Sequence, residues 1–291
     1  MTKTDIRAVE HSVRHGGGSL YVLDHPGEEP AIVAMHGFPD DVRIYDRLTP
    51  HLSPRRVVVF DWLGYGRSDR RARPGFTGSD RQRDLVAVLD GLDLERVTLV
   101  GHDASGPEAI ELALSQPDRI DAVVLLNTYY GRDESMHLPE LIALMADPEF
   151  KPLTDALLDD EAQRLWLLMH TAGRFGIPRD APDTIGTVSI LPQFFGGAGS
   201  PNALDEIRAW TADLPHALDH QDNQIRAGKL AALDIPVRVI FGREDTFLNP
   251  HVARHLSGRF ARSELHLVPG ASHWPQWDQP EIVADLIARP V

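Results

Sequence analysis

Val97-Thr98-Leu99-Val100-Gly101-His102-Asp103-Ala104-Ser105-Gly106 runs from a β-branched stretch into a cluster of small residues, with an acidic side chain at its pivot. A buried strand followed by small-x-nucleophile-x-small is the pattern of a nucleophile elbow, a strained strand-to-helix turn that exposes one side chain. Gly101 and Ser105 fill the small positions, letting the two backbones approach closely. Serine at the pivot would direct the chemistry to acyl transfer. Asp103 instead offers a carboxylate, which attacks a saturated carbon and forms an alkyl ester with the enzyme.

Six further runs share the apolar character of 97–100: residues 20–23, 31–35, 57–60, 122–126, 237–241 and 264–268. Near-continuous apolar strands alternating with helical patterns predict a mostly parallel sheet covered on both faces, with function at the carboxyl ends of its strands. Between residues 131 and 229 the rhythm turns helical, as in 157–169 and 203–210, with a glycine-rich break at 196–199. This segment reads as a helical insertion that closes over the strand ends as a lid. The expected division is a core of residues 1–130 and 230–291 and a cap of 131–229.

The chain has 291 residues, enough for a sizeable core, and carries 29 basic and 43 acidic residues for a formal charge of -14. Such a balance repels nucleic acid and anionic membranes and favours a neutral substrate. The first 18 residues carry no apolar signal segment, and no apolar run approaches the roughly 20 residues that span a bilayer. Absence of cysteine excludes disulfides and thiol catalysis. The expected location is the cytoplasm. The histidines show no zinc-ligand spacing, so neither metal nor cofactor is expected. The expected partners are a neutral small molecule and water, with no nucleic acid and no membrane, for a monomer or homodimer.

Other motifs follow strand ends. Met35-His36-Gly37-Phe38-Pro39-Asp40 places the Phe38 amide where, with that of Ala104, it would stabilise an oxyanion at Asp103. Asp61-Trp62-Leu63-Gly64-Tyr65-Gly66-Arg67-Ser68-Asp69 is a tight loop with a structural role. Phe241-Gly242-Arg243-Glu244-Asp245 and Gly270-Ala271-Ser272-His273-Trp274-Pro275 supply an acid and a base, giving the chain order Asp103, Asp245, His273. Glu244 is the rival to Asp245 and is disfavoured by strand alternation, which also turns His102 away from the site. The acidic clusters at Asp133-Glu134 and Asp159-Asp160-Glu161 read as solvated faces or helix starts.

On these residues the chain resembles the α/β-hydrolase superfamily. The resemblance implies an α/β-hydrolase fold: a mostly parallel eight-stranded sheet, helices on both faces and a helical cap insertion. Aspartate at the elbow is similar to the epoxide hydrolase and haloalkane dehalogenase branch. The pattern departs from that branch in two places. Epoxide hydrolases use paired cap tyrosines, and the insertion proper has none, which leaves Tyr129 and Tyr130 at its entrance. Haloalkane dehalogenases follow the nucleophile with tryptophan, and here stands Ala104, which leaves Trp166 or Trp210 to hold a halide. His36 and Trp274 complete the expected substrate-binding set. The expected reaction is the opening of a neutral epoxide to a diol. Carbon–halogen hydrolysis by the same residues is the alternative, and a strained lactone is a third electrophile. Readings from a different class are a lyase or cyclase that uses Asp103 as a proton shuttle, or a ligand-binding protein on this scaffold.

Overall fold

A computed structural model describes residues 8–70, 77–178, 181–197 and 201–289. Eight strands form one sheet: β1 (Val9–His15), β2 (Gly18–His25), β3 (Glu28–Met35), β4 (Arg55–Phe60), β5 (Val97–Asp103), β6 (Ile120–Thr128), β7 (Val237–Gly242) and β8 (Ser263–Val268). Their spatial order is β1-β2-β4-β3-β5-β6-β7-β8. The first two pairings, β1 with β2 and β2 with β4, are antiparallel, and the rest are parallel. This is an α/β-hydrolase fold. β1 is the strand the apolar runs did not reveal. It lies at the sheet edge with alternate side chains exposed, so it carries a polar sequence.

The central parallel strands β3 to β7 are mostly apolar along their buried stretches because both faces are covered, whereas edge strand β8 carries Glu264 and His266. In β3, Ala31, Val33 and Met35 pack with the helices Gly78–Gly91 and Gly106–Ser115. Ile32 and Ala34 face the opposite layer, built from Val42–Tyr45 and the helix Pro280–Ala288. Burying one such Val or Ile contributes about 1.5–3 kcal/mol, so a charge at Val33 would be disruptive.

Between β6 and β7 the chain is helical: Glu140–Ala146, Lys151–Asp159, Glu161–Arg174, Leu191–Phe195 and Leu204–Arg226, with a π-helical turn at Gly186–Ile190. Where one helix was expected across 157–169 there are two. Asp160 takes an extended conformation (φ -81°, ψ 116°) and accepts the Gln163 amide at 2.9 Å, ending one helix and starting the next. The acidic cluster is thus a helix start. Leu204–Arg226 runs well beyond the expected 203–210, through Pro215. Of the glycine-rich break, residues 198–200 lie outside the described residues, as do residues 1–7 of the N-terminal segment. The segment docks on the core by polar contacts. Asp41 accepts from Gln193 Nε2 at 2.8 Å, and Ser189 Oγ accepts the Asp41 amide at 2.9 Å. No helix among the described residues is long and apolar enough to cross a membrane.

Candidate active site

Asp103 ends β5 with φ at +49°, a left-handed conformation forced on a non-glycine residue at the point of the turn. The close approach falls at Gly101 and Gly106. A Cβ on Gly101 would lie 2.8 Å from Gly106 Cα, and one on Gly106 would strike the Thr128 side chain. Ser105, read from sequence as the second small position, instead turns inward, its Oγ 2.8 Å from the carbonyls of Met35 and His102. Thr128 Oγ donates to the Asp103 carbonyl and ties the elbow to β6.

The two carboxylate oxygens of Asp103 have different surroundings. Oδ2 accepts the Phe38 amide at 2.9 Å, and the Ala104 amide also hydrogen-bonds the carboxylate. Oδ1 lies 3.8 Å from Nε2 of His273. Burial raises the Asp103 pKa above its usual value, although the His273 charge and the two amides pull the other way.

His273 Nδ1 is 2.7 Å from Asp245 Oδ2. The facing carboxylates of Asp245 and Asp103 outweigh burial and push the imidazole up to about 9. Asp245 is itself held below the usual carboxylate range: burial acts upward, but the His273 charge and hydrogen bonds from His273, Phe247 and Asn127 prevail. Its Oδ1 accepts the Phe247 and Leu248 amides at 2.9 and 3.2 Å. Glu244 points elsewhere, is exposed, and accepts the Gly270 amide at 3.1 Å.

Asn127 was not singled out from sequence. Fully buried, with φ at +28°, it donates from Nδ2 to Asp245 Oδ2 at 2.9 Å and accepts the Gly242 amide at 2.7 Å. It holds the same Asp245 oxygen that faces His273 Nδ1, and so helps fix the acid. His102 points away from the cavity, as alternation requires, and its Nε2 lies 2.9 Å from the His273 carbonyl. Since a carbonyl only accepts, Nε2 carries the proton, leaving Nδ1 as an acceptor 3.6 Å from buried Asp40. Burial and the nearby Asp103 charge push Asp40 up to about 7.

A cavity of about 180 Å³ opens over Asp103 and His273. Phe38, Ala104, Tyr129, Trp210 and Trp274 line it, as expected for site residues. The tyrosine pair separates: Tyr129 faces the cavity, whereas Tyr130 turns away and donates to Glu111 Oε1 at 2.5 Å. Trp166 is 62% exposed and stacks on His170 at 5.4 Å, outside the cavity. His36 is also displaced from the assigned role. It is completely buried, its Nδ1 2.8 Å from the Gly37 carbonyl and its Nε2 accepting the Trp62 amide at 3.3 Å, so it braces the loop behind the site. The 61–69 loop is structural, with Asp61 accepting the amides of Val42 and Arg67, each at 2.8 Å. Phe175 and Phe247, also cavity residues, were missed because Phe175 ends a helix whose spacing does not reveal which face meets a pocket, and Phe247 lies in a loop with no periodicity at all. Among the described residues, no group of three or more histidines and carboxylates is placed to hold a metal ion.

The alpha/beta hydrolase family model matches residues 32–286. An uncharacterized Mycobacterium tuberculosis protein is 27% identical over 268 residues, which cover 90% of this chain and 75% of that protein. The 2-hydroxy-6-oxononadienedioate/2-hydroxy-6-oxononatrienedioate hydrolase of Paraburkholderia xenovorans is 23% identical over 300 residues, covering 95% of this chain and 94% of that enzyme. Haloalkane dehalogenase DbeA from Bradyrhizobium elkani superposes with a TM-score of 0.75 at 16% identity, over 97% of this chain and 96% of that one, a likeness of fold. With the family match running from β3 into the last helix, and the elbow at the end of β5, this chain belongs to the alpha/beta hydrolase family and is a hydrolase.

Proposed function

We propose that Asp103 is the nucleophile and that the enzyme opens a neutral epoxide to a diol through an alkyl-enzyme ester. One observation carries this reading: Asp103 Oδ2 is held by a backbone amide while Oδ1 faces His273 and the cavity. In the first step Oδ1 bonds to an epoxide carbon as the carbon–oxygen bond breaks. The electron pair goes to the epoxide oxygen, which takes the proton of Tyr129. Tyr129 suits this role because its hydroxyl has no hydrogen-bond partner among the described residues and its side chain faces the cavity.

Ester formation removes the Asp103 charge, one of the contributions that hold a proton on His273. The imidazole then sheds its proton more readily and is neutral, free to act as a base, at the stage that needs one. It then takes a proton from water, whose oxygen attacks Asp103 Cγ. The carbonyl oxygen becomes an oxyanion facing the amides of Phe38 and Ala104, each such donor contributing about 3–4 kcal/mol. Collapse expels the second alkoxide, which takes the proton from His273, and the regenerated Asp103 acid returns a proton to Tyr129. The balance is epoxide plus water to diol.

Among the described residues lining the cavity there is no lysine or arginine. That argues against a dicarboxylate such as the dienedioates named for the Paraburkholderia xenovorans enzyme. The test is the intact mass of His273→Phe protein after incubation with epoxides, haloalkanes and β-lactones, with the Asp103→Ala, His273→Phe double variant as control. An Asp103-dependent adduct from an epoxide supports the reading. An adduct only from haloalkanes moves the leaving group to halide, and no adduct from any of them overturns the nucleophile and favours a lyase or ligand-binding role.

A further inference from the structure

The chain has 20 Phe, Trp and Tyr residues, and seven of them line this one cavity. Five of them make ring contacts in two groups. Phe175 stands 4.6 Å from Phe247, 4.8 Å from His273 and 5.2 Å from Trp274, ring centre to ring centre and tilted by 50–56°. Phe38 meets Trp210 edge to face at 5.6 Å. Asp103 bonds the Phe38 amide and approaches His273, so the reactive carboxylate lies next to a member of one aromatic group and to the histidine that touches the other.

The polar groups of the wall are already committed to the protein. The hydroxyls of Thr171 and Thr211 each donate at 2.9 Å to the carbonyl one turn back in their own helices, and the Trp274 indole donates to Asp40 at 3.2 Å. His137 is exposed, at the rim. Hydrogen bonding is therefore concentrated at Tyr129, beside the reacting atoms. For size, an apolar cavity of about 150 Å³ holds a benzene molecule. A cavity of about 180 Å³ holds one ring and a short substituent.

From these three features we infer that the substrate class is an uncharged epoxide bearing a single aryl ring, recognised by edge and face contacts to the two aromatic groups. The nature of the reacting group rests on the Asp103 reading above, whereas ring recognition does not. A pocket selecting only for hydrophobicity would bind a cyclohexyl ring at least as well as a phenyl ring of the same skeleton. Aromatic walls reverse that order, because offset and edge-on ring pairs add attraction beyond buried area.

Dissociation constants measured by calorimetry for 1-phenyl-1,2-ethanediol and 1-cyclohexyl-1,2-ethanediol test recognition without any chemistry. The phenyl diol is expected to bind about tenfold more tightly, and Phe175→Leu to reduce that ratio several-fold. A carboxylate at the para position is expected to weaken binding at least 100-fold. Equal binding of the two diols, or tighter binding of the cyclohexyl one, overturns the inference while leaving the Asp103 chemistry intact. A phenyl preference with no Asp103-dependent adduct from styrene oxide in the His273→Phe background has the opposite meaning: aryl recognition stands and the epoxide assignment falls.

Discussion

Gly37→Ala perturbs Asp103 without replacing a titratable group. A Cβ built on Gly37 lies 2.6 Å from Asp103 Cβ, 2.8 Å from Asp103 Oδ2 and 2.9 Å from the His102 carbonyl. Ordinary contact begins at 3.4 Å, so the methyl group falls 0.8 Å short of the space it needs against Asp103 Cβ. Neither side yields easily: Asp103 is pinned at positive φ, and Gly37 is joined to the residue whose amide holds Oδ2. Relief must come from moving the carboxylate and its donor apart by something approaching 1 Å. A displacement of about 1 Å in a near-attack geometry costs roughly 100-fold, equivalent to about 2.7 kcal/mol of barrier. The assay is the rate of adduct formation from styrene oxide in His273→Phe protein with and without Gly37→Ala, read by mass spectrometry, with circular dichroism confirming an unchanged fold. Alkylation within threefold of the parent rate in a folded variant would refute the claim that this glycine sets the position of the nucleophile.

Four further outcomes are expected. Asp245→Asn should leave alkylation nearly intact but slow ester hydrolysis by about 10³–10⁴-fold, because the imidazole loses the carboxylate that fixes its tautomer, and the adduct should accumulate on mass spectra. Tyr129→Phe should slow epoxide opening by roughly 10²-fold or more while Tyr130→Phe changes it less than twofold; equal effects in stopped-flow traces would put the acid elsewhere. Hydrolysis of the preformed ester requires neutral His273, so its single-turnover rate should rise with pH and level off below about 9, since the ester has removed the Asp103 charge; a flat profile would remove His273 as the base. The same histidine links stability to pH. Its folded pKa, about 9, exceeds an unfolded value near 6.5, so its stabilisation is complete below about pH 6.5 and is lost as pH rises through 9, a Tm dependence that Asp245→Asn should flatten.

The central strands β3 to β7 were legible because a stretch buried on both faces is apolar along its length, whereas the half-buried β2 and β8 showed only shorter apolar stretches. The chain order Asp103, Asp245, His273 was legible for a related reason: each residue follows such a run, where the backbone leaves the sheet and side chains are free for chemistry. Edge strand β1 was hidden by its exposure, and the break at Asp160 by an apolar periodicity that continues on both sides of a capping residue.

What the tertiary structure alone decided is which side chains converge. Tyr129 and Tyr130 are adjacent in sequence and chemically identical, yet the strand end sends one into the cavity and the other to Glu111. Trp166 and Trp210 both lie on helices of the 131–229 segment, but helical spacing fixes only their own faces, and the packing of those helices leaves Trp166 in solvent and sets Trp210 against Phe38. Asn127 bears no local mark of its role, since its two partners, Asp245 and Gly242, lie more than a hundred residues away. Periodicity reports the environment of one element at a time, whereas a site is made where several elements meet. Local sequence therefore specified the turn that carries Asp103 and the fold that presents it, and the pocket wall was settled only by long-range packing.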